Sequence, residues 1–210
     1  MVMFMNNKFL NETCIDVFKE ISNIGSSHAT SALAKMLGNV LRMKVPNVSI
    51  IKVNELSKLL GSEEQIVAAT LLTMDGDVKG IMMNIFNEDS TKKMIDMVLH
   101  RQINNLGEIT EIETSFLEEL GNILTSAYLS ALGTLTNLKI MPSTPNLCVD
   151  MAGAILSVPA IQYGIMSDDM MLIQTQFESE TEVLTGYYLL VPDEPSFIKI
   201  LSSLGVHVSE

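Results

Sequence analysis

Four side chains stand out by type and spacing: Glu20 and Asn23, then Glu119 and Asn122. In each pair a carboxylate precedes an amide by three residues, so on a helix the two share one face about a turn apart. An ionised carboxylate accepts hydrogen bonds and pairs with a cation. A primary amide donates and accepts while staying neutral, which suits it to hold a water molecule in one direction. A polar ridge on a single amphipathic helix is ordinarily a solvated face. One pair alone would mean little.

The elements that carry the pairs say more. From Asn11 to Leu37, the apolar positions Cys14, Phe18, Ile21, Gly25, Ala29, Ala32 and Met36 fall on one helical stripe. Asp16, Glu20, Asn23 and Ser27 line the opposite side. A shift of 99 residues lays Thr110–Leu135 over this stretch, and seven of the fourteen residues from 20 to 33 are then identical. Glu20, Asn23, Ile24 and Ser27 fall on Glu119, Asn122, Ile123 and Ser126. The buried stripe is kept only in kind, with Phe18, Gly25 and Met36 answered by Leu117, Leu124 and Leu135. Packing requires an apolar stripe on both helices; it does not require Glu and Asn at the same exposed places. Something other than folding holds the ridge.

Familiar self-contained chemistries are missing. There is no Gly-rich phosphate loop of the Walker type. Neither cysteine is followed six residues later by Arg, since Cys14 reaches Glu20 and Cys148 reaches Ala154, which excludes a thiol phosphatase. Asp75-Gly76-Asp77 reads as a hairpin turn, because Lys79 and Phe86 stand where a calcium loop needs acceptors. His28, His100 and His207 show no metal-ligand spacing, and His28 is expected to be a packing residue at the edge of the stripe.

Each half can be written as Asp or Ser, three residues, Glu, two residues, Asn, twenty-two residues, Pro: Asp16, Glu20, Asn23, Pro46, then Ser115, Glu119, Asn122, Pro145. This pattern resembles the signature of the CheC/CheX/FliY family, phosphatases of the phosphorylated response regulator CheY, and its doubling is most similar to the CheC branch. The first helix departs from that family at Ser22, Ser26, Ser27 and His28, where Gly, small residues and Asn are usual. The resemblance implies a protein aspartyl-phosphate phosphatase of chemotactic two-component signalling. In it Asn23 and Asn122 position the attacking water, while Glu20 and Glu119 anchor the docking by pairing with the regulator's lysine. Asp16 and Ser115 are peripheral: partner contacts, caps or solvated residues. The resemblance further implies no cofactor of the chain's own, Mg²⁺ supplied by the regulator, and CheD as a second partner, with Asp150 as a candidate contact. Two other classes stay open. One is a binding module or flagellar-switch component without chemistry; the other is an adaptor whose main task is to hold CheD.

Composition agrees with a folded, acidic protein. The 210 residues are 47% hydrophobic and 18% charged, with a net charge of −12, which argues against nucleic acid or an anionic membrane as partner. Cys14 and Cys148 lie in apolar surroundings and read as buried thiols of a reducing compartment. The start, MVMFMNNKFL, lacks the features of a signal peptide, and the apolar run Met151–Ile161 is too short to span a membrane. A cytoplasmic location is expected.

Along the chain, Asn11 is the expected cap of the first helix and Gly38 its stop. A β-branched strand follows Pro46, then a short helix over Asn54–Leu60. Ile66–Met74 and Val78–Phe86 read as a hairpin, and Asn87 or Asp89 caps a helix through Leu99. Arg101–Glu108 connects to the second half. There Thr110 caps the second long helix, Met170–Phe177 and Glu182–Val191 are strands, and Pro192-Asp193 opens a helix through Leu204. The reading is a single α+β domain over residues 1–210, a pseudo-twofold duplication of two intimately packed repeats at about 11–101 and 110–205. One shared β-sheet presents the two long amphipathic helices outward.

Overall fold

The computed structural model describes residues 12–37, 42–163 and 169–205. In the first half the order is α1 (Glu12–Met36), β1 (Arg42–Lys52), α2 (Val53–Leu59), β2 (Ile66–Gly76), β3 (Gly80–Asn87) and α3 (Glu88–Leu99). A short 3-10 turn, Leu106–Glu108, leads to the second half. The same order returns there as α4 (Glu111–Thr136), β4 (Ile140–Pro142) with β5 (Asn146–Met151), α5 (Ala152–Tyr163), β6 (Asp169–Glu178), β7 (Val183–Pro192) and α6 (Glu194–Ser203). Asn11 and Gly38, the expected ends of the first helix, lie outside the described residues, as does the Cys14 side chain.

The strands form one antiparallel sheet in the order β1-β6-β7-β3-β2-β4, with β5 also on β2. The halves exchange their outer strands: β1 joins β6, and β5 joins β2. The central strands are buried on both faces, so β3 reads as a near-continuous apolar run, GIMMNIFN. Met82 and Phe86 point to a core shared with α1, α3, α4 and α6. Ile81, Met83 and Ile85 point to a second core, closed by Leu56 and Leu60 at α2 and by Ile155 and Leu156 of α5. Helices therefore cover both faces, and the long pair lies on one of them.

Several expectations need correction. β1 begins at Arg42 rather than after Pro46; the ladder shifts register between Lys44 and Asn47, where proline has no N–H to give. The apolar run from Met151, read from the sequence only as too short to span a membrane, ends β5 and then forms the helix α5, with Pro159 inside it. On α1 the buried line runs Phe18, Ile21, Gly25, Ala29, Leu33, so Leu33 takes the place expected for Ala32, and both Ala32 and His28 are exposed. Cys148 is also exposed, because β5 is an edge strand whose residues are largely uncovered.

Candidate functional site

The two long helices meet at a close approach. A Cβ on Gly25 would stand 2.7 Å from Tyr128 Cδ1 and 3.2 Å from Tyr128 Cα, so only glycine fits there. Phe18, Ile21 and Ser22, earlier in α1, share a small cavity with Leu129 and Leu132, later in α4. The helices therefore run past one another in opposite directions. Tyr128 in turn stacks on Tyr188 of β7 with ring centroids 4.6 Å apart, and burial raises its hydroxyl pKa.

The second long helix is fixed at its ends by local chemistry. The Thr110 N–H donates to Glu113 Oε2 at 2.8 Å at the start of α4, and Arg101 from the connector pairs with the same carboxylate. Burial alone would raise the Glu113 pKa; the Arg101 and Thr110 hydrogen bonds outweigh it and hold the group at about 2. Asn137 ends α4 in the left-handed conformation, with φ of 56°. Where β3 and β7 lead into helices, the Asn87 side chain caps α3 by accepting from Ser90 N, and Asp193 caps α6 by accepting from Ser196 N.

With the apolar stripes turned to the sheet and to each other, both ridges face away from the protein. Glu20, Asn23 and Glu119 are exposed, and Asn122 is half-buried. Asn122 Nδ2 donates to Glu119 Oε2 at 3.4 Å, so the second pair is already joined. Glu20 and Asn23 have no side-chain partner among the described residues, although the Asn23 carbonyl accepts from Ser26 Oγ at 2.9 Å. Asp16 and Ser115 are exposed one turn earlier, with Asp16 held by Lys19 at 3.2 Å. The second Glu/Asn pair is joined by a hydrogen bond, whereas the first shares one exposed turn with no contact between its side chains among the described residues. Asp150 lies elsewhere, exposed on the edge strand β5, where its Oδ1 accepts from Met151 N at 2.7 Å.

Residues beneath α4 were not singled out by spacing. Thr70 of β2 and Asn84 of β3 face each other across the ladder and point at α4, and Glu118 reaches the start of β5. The available signal was a polar residue inside each of two apolar strands, AATLL and GIMMNIF. Among the described residues no group of three or more His, Cys, Asp or Glu could hold a metal ion, and no helix is long and apolar enough to cross a membrane.

Fold and ridges together define a class: a duplicated protein with helices on both faces of one antiparallel sheet, carrying one carboxylate–amide pair on the outward face of each long helix. The chain belongs to the CheC-like family. That family's model matches residues 15–50 and 112–148, one segment in each half and each spanning a ridge. The CheY-P phosphatase CheC of Bacillus subtilis (strain 168) is 32% identical over 93% of this chain and 96% of its own length. Among solved structures, Thermotoga maritima FliY superposes with a TM-score of 0.69 at 17% identity, covering 97% of this chain and 98% of that one. The CheX of a CheX-CheY-BeF3-Mg complex from Borrelia burgdorferi shares the fold at a TM-score of 0.51 and 13% identity, over 84% of this chain and 98% of that one.

Proposed function

We propose that this protein is a phosphatase of phosphorylated CheY, and that Glu20/Asn23 and Glu119/Asn122 are its two sites. The observation that carries the reading is the repetition of one outward-facing carboxylate–amide pair on two helices whose core faces have diverged. Membership of a family whose Bacillus subtilis member is a CheY-P phosphatase supports it. So does the capture of a protein of this fold in complex with CheY, BeF3 and Mg.

The chemistry follows from what the partner already holds. An aspartyl phosphate is an activated acyl phosphate, and the regulator supplies its own Mg²⁺ and lysine, so this chain needs no cofactor. The missing part is a water in line with the bond to be broken. The carbonyl of Asn23 or Asn122 accepts from that water and sets its direction, and a neutral amide adds no repulsion against phosphate. Water oxygen bonds to phosphorus, the P–O bond to the aspartate breaks, and the products are inorganic phosphate and a free carboxylate. The water's proton passes to phosphate or solvent. Glu20 or Glu119, one turn earlier, pairs with the regulator's lysine and fixes the approach. A desolvated contact of that kind is worth about 2 kcal/mol, whereas orienting a reactant can contribute several-fold more to the barrier. Asn is the catalytic group and Glu the docking group.

CheD is a second proposed partner, and the uncovered edge strand around Asp150 is the surface offered to it. The cytoplasm, where CheY acts, is the proposed location. The adaptor and flagellar-switch readings make one opposite forecast, since a module without chemistry leaves the regulator's phosphate alone. The test is the lifetime of phosphorylated CheY with and without the protein. Shortening in proportion to protein concentration supports the phosphatase; an unchanged lifetime with demonstrable binding supports a scaffold.

A further inference from the structure

The ridges repeat one another, but the turns beneath them are held in different ways. Under α4, the turn from Leu117 to Gly121 is tied to the sheet by three polar contacts. Thr70 Oγ1 donates to the Leu117 carbonyl at 3.2 Å, and Asn84 Nδ2 donates to the Gly121 carbonyl at 3.5 Å. The Leu147 N–H, at the start of β5, donates to Glu118 Oε1 at 3.0 Å. Gly121 makes the approach possible, because a Cβ there would stand 2.5 Å from Thr70 Cγ2.

Ninety-nine residues earlier the same positions are Phe18, Lys19 and Ser22, and their polar contacts turn back into the helix. Ser22 Oγ donates to the Phe18 carbonyl at 2.8 Å, and Lys19 Nζ donates to Asp16 at 3.2 Å. Beneath Phe18 and Ser22 the sheet presents Met171, Ile173 and Leu190. Among the described residues the first helix thus rests on apolar contact, which is non-directional, and the second is pinned by hydrogen bonds, which are not.

Rotation about the helix axis is the motion that matters. Side-chain tips stand about 6 Å from the axis, so a rotation of about 10° moves them by about 1 Å, and a misplacement of that size can cost up to about a hundredfold in rate. Holding a buried amide here is not what folding alone would choose. Asn84 Oδ1 is buried without a partner among the described residues, while Leu190 serves under α1. We propose that Thr70 and Asn84 are positioning residues, which set the orientation of Glu119 and Asn122 and make that site the faster of the two. This rests on reading both Glu/Asn pairs as hydrolytic sites.

Single-site proteins test it. Asn23→Ala leaves only the second site and Asn122→Ala only the first, so the first of these variants should retain the higher kcat. Thr70→Val and Asn84→Leu each remove the donor at nearly constant volume, and each is placed in both backgrounds. In the Asn23→Ala background kcat should fall about five- to tenfold, with KM for phosphorylated CheY changed by less than about twofold. Thr70→Ser, which keeps the hydroxyl, should restore it. In the Asn122→Ala background the loss should be absent. A merely structural role would lower both backgrounds alike, and that result, or a change in KM alone, or no change, overturns the proposal. Should Thr70→Val fail to fold, Asn84→Leu decides by the same criteria. If neither Asn substitution alters hydrolysis, the hydrolytic reading fails and the proposal falls with it, a pattern distinct from the others.

Discussion

Replacing Gly25 by alanine probes the contact that brings the two proposed sites onto one surface. The added methyl would lie 2.7 Å from Tyr128 Cδ1 and 3.2 Å from Tyr128 Cα. Neither atom gives way easily: Cα is backbone, and the ring is held in its stack on Tyr188 at 4.6 Å. The helices must separate by several tenths of an ångström, an overpacking cost of about 1–3 kcal/mol. Alanine recovers about 1 kcal/mol of that through its helix preference over glycine. The net loss is up to about 2 kcal/mol, which for a chain of this size lowers Tm by up to about 8 °C. Thermal unfolding followed by circular dichroism reads it directly. The hydrolytic rate per site should change little, because each Glu/Asn pair lies within its own turn. A rise in Tm, the ordinary result of Gly→Ala at a helix position with free space, would refute the close-contact argument.

Glu113 gives an acid-side prediction. Its folded-state pKa of about 2 lies below the ordinary 4.5, so the folded protein binds this proton less tightly than the unfolded chain. Its stabilisation is complete above about pH 4.5 and is lost as pH falls toward 2. In Glu113→Gln the acid unfolding curve should be shallower across that window; an unchanged slope would contradict the role given to Arg101 and Thr110. Converting Glu20 and Glu119 together to Gln should weaken association with phosphorylated CheY and flatten its salt dependence, since a half-exposed ion pair is screened. Titration at two ionic strengths measures both, and a loss confined to turnover would reverse the roles of Glu and Asn.

Much of this was legible because duplication supplies an internal comparison. Two helices that keep Glu and Asn while exchanging Phe18 for Leu117 separate what the site needs from what the core needs. The hairpins were legible for a local reason, since Asp75-Gly76-Asp77 and the apolar runs around it mark a turn by themselves. What escaped depended on distant partners. The helical state of α5 follows from burying Ala152, Ile155 and Leu156 on the second face of the sheet, which no periodicity in MAGAILSVPA announces. Cys148 sits in an apolar run yet is exposed, because strand position decides exposure and β5 is at the edge. Thr70 and Asn84 looked like interruptions in apolar strands, and their target, the carbonyl side of α4, lies 47 and 37 residues away.

The most direct test is the decay of phosphorylated CheY at saturating concentrations of the Asn23→Ala, Asn122→Ala double variant. Decay should then run at the regulator's own rate, with the complex still forming at the parent's half-saturating concentration and each single variant retaining partial activity. Decay at the parent rate from a folded double variant would contradict it, because the amides would then have no part in directing the water.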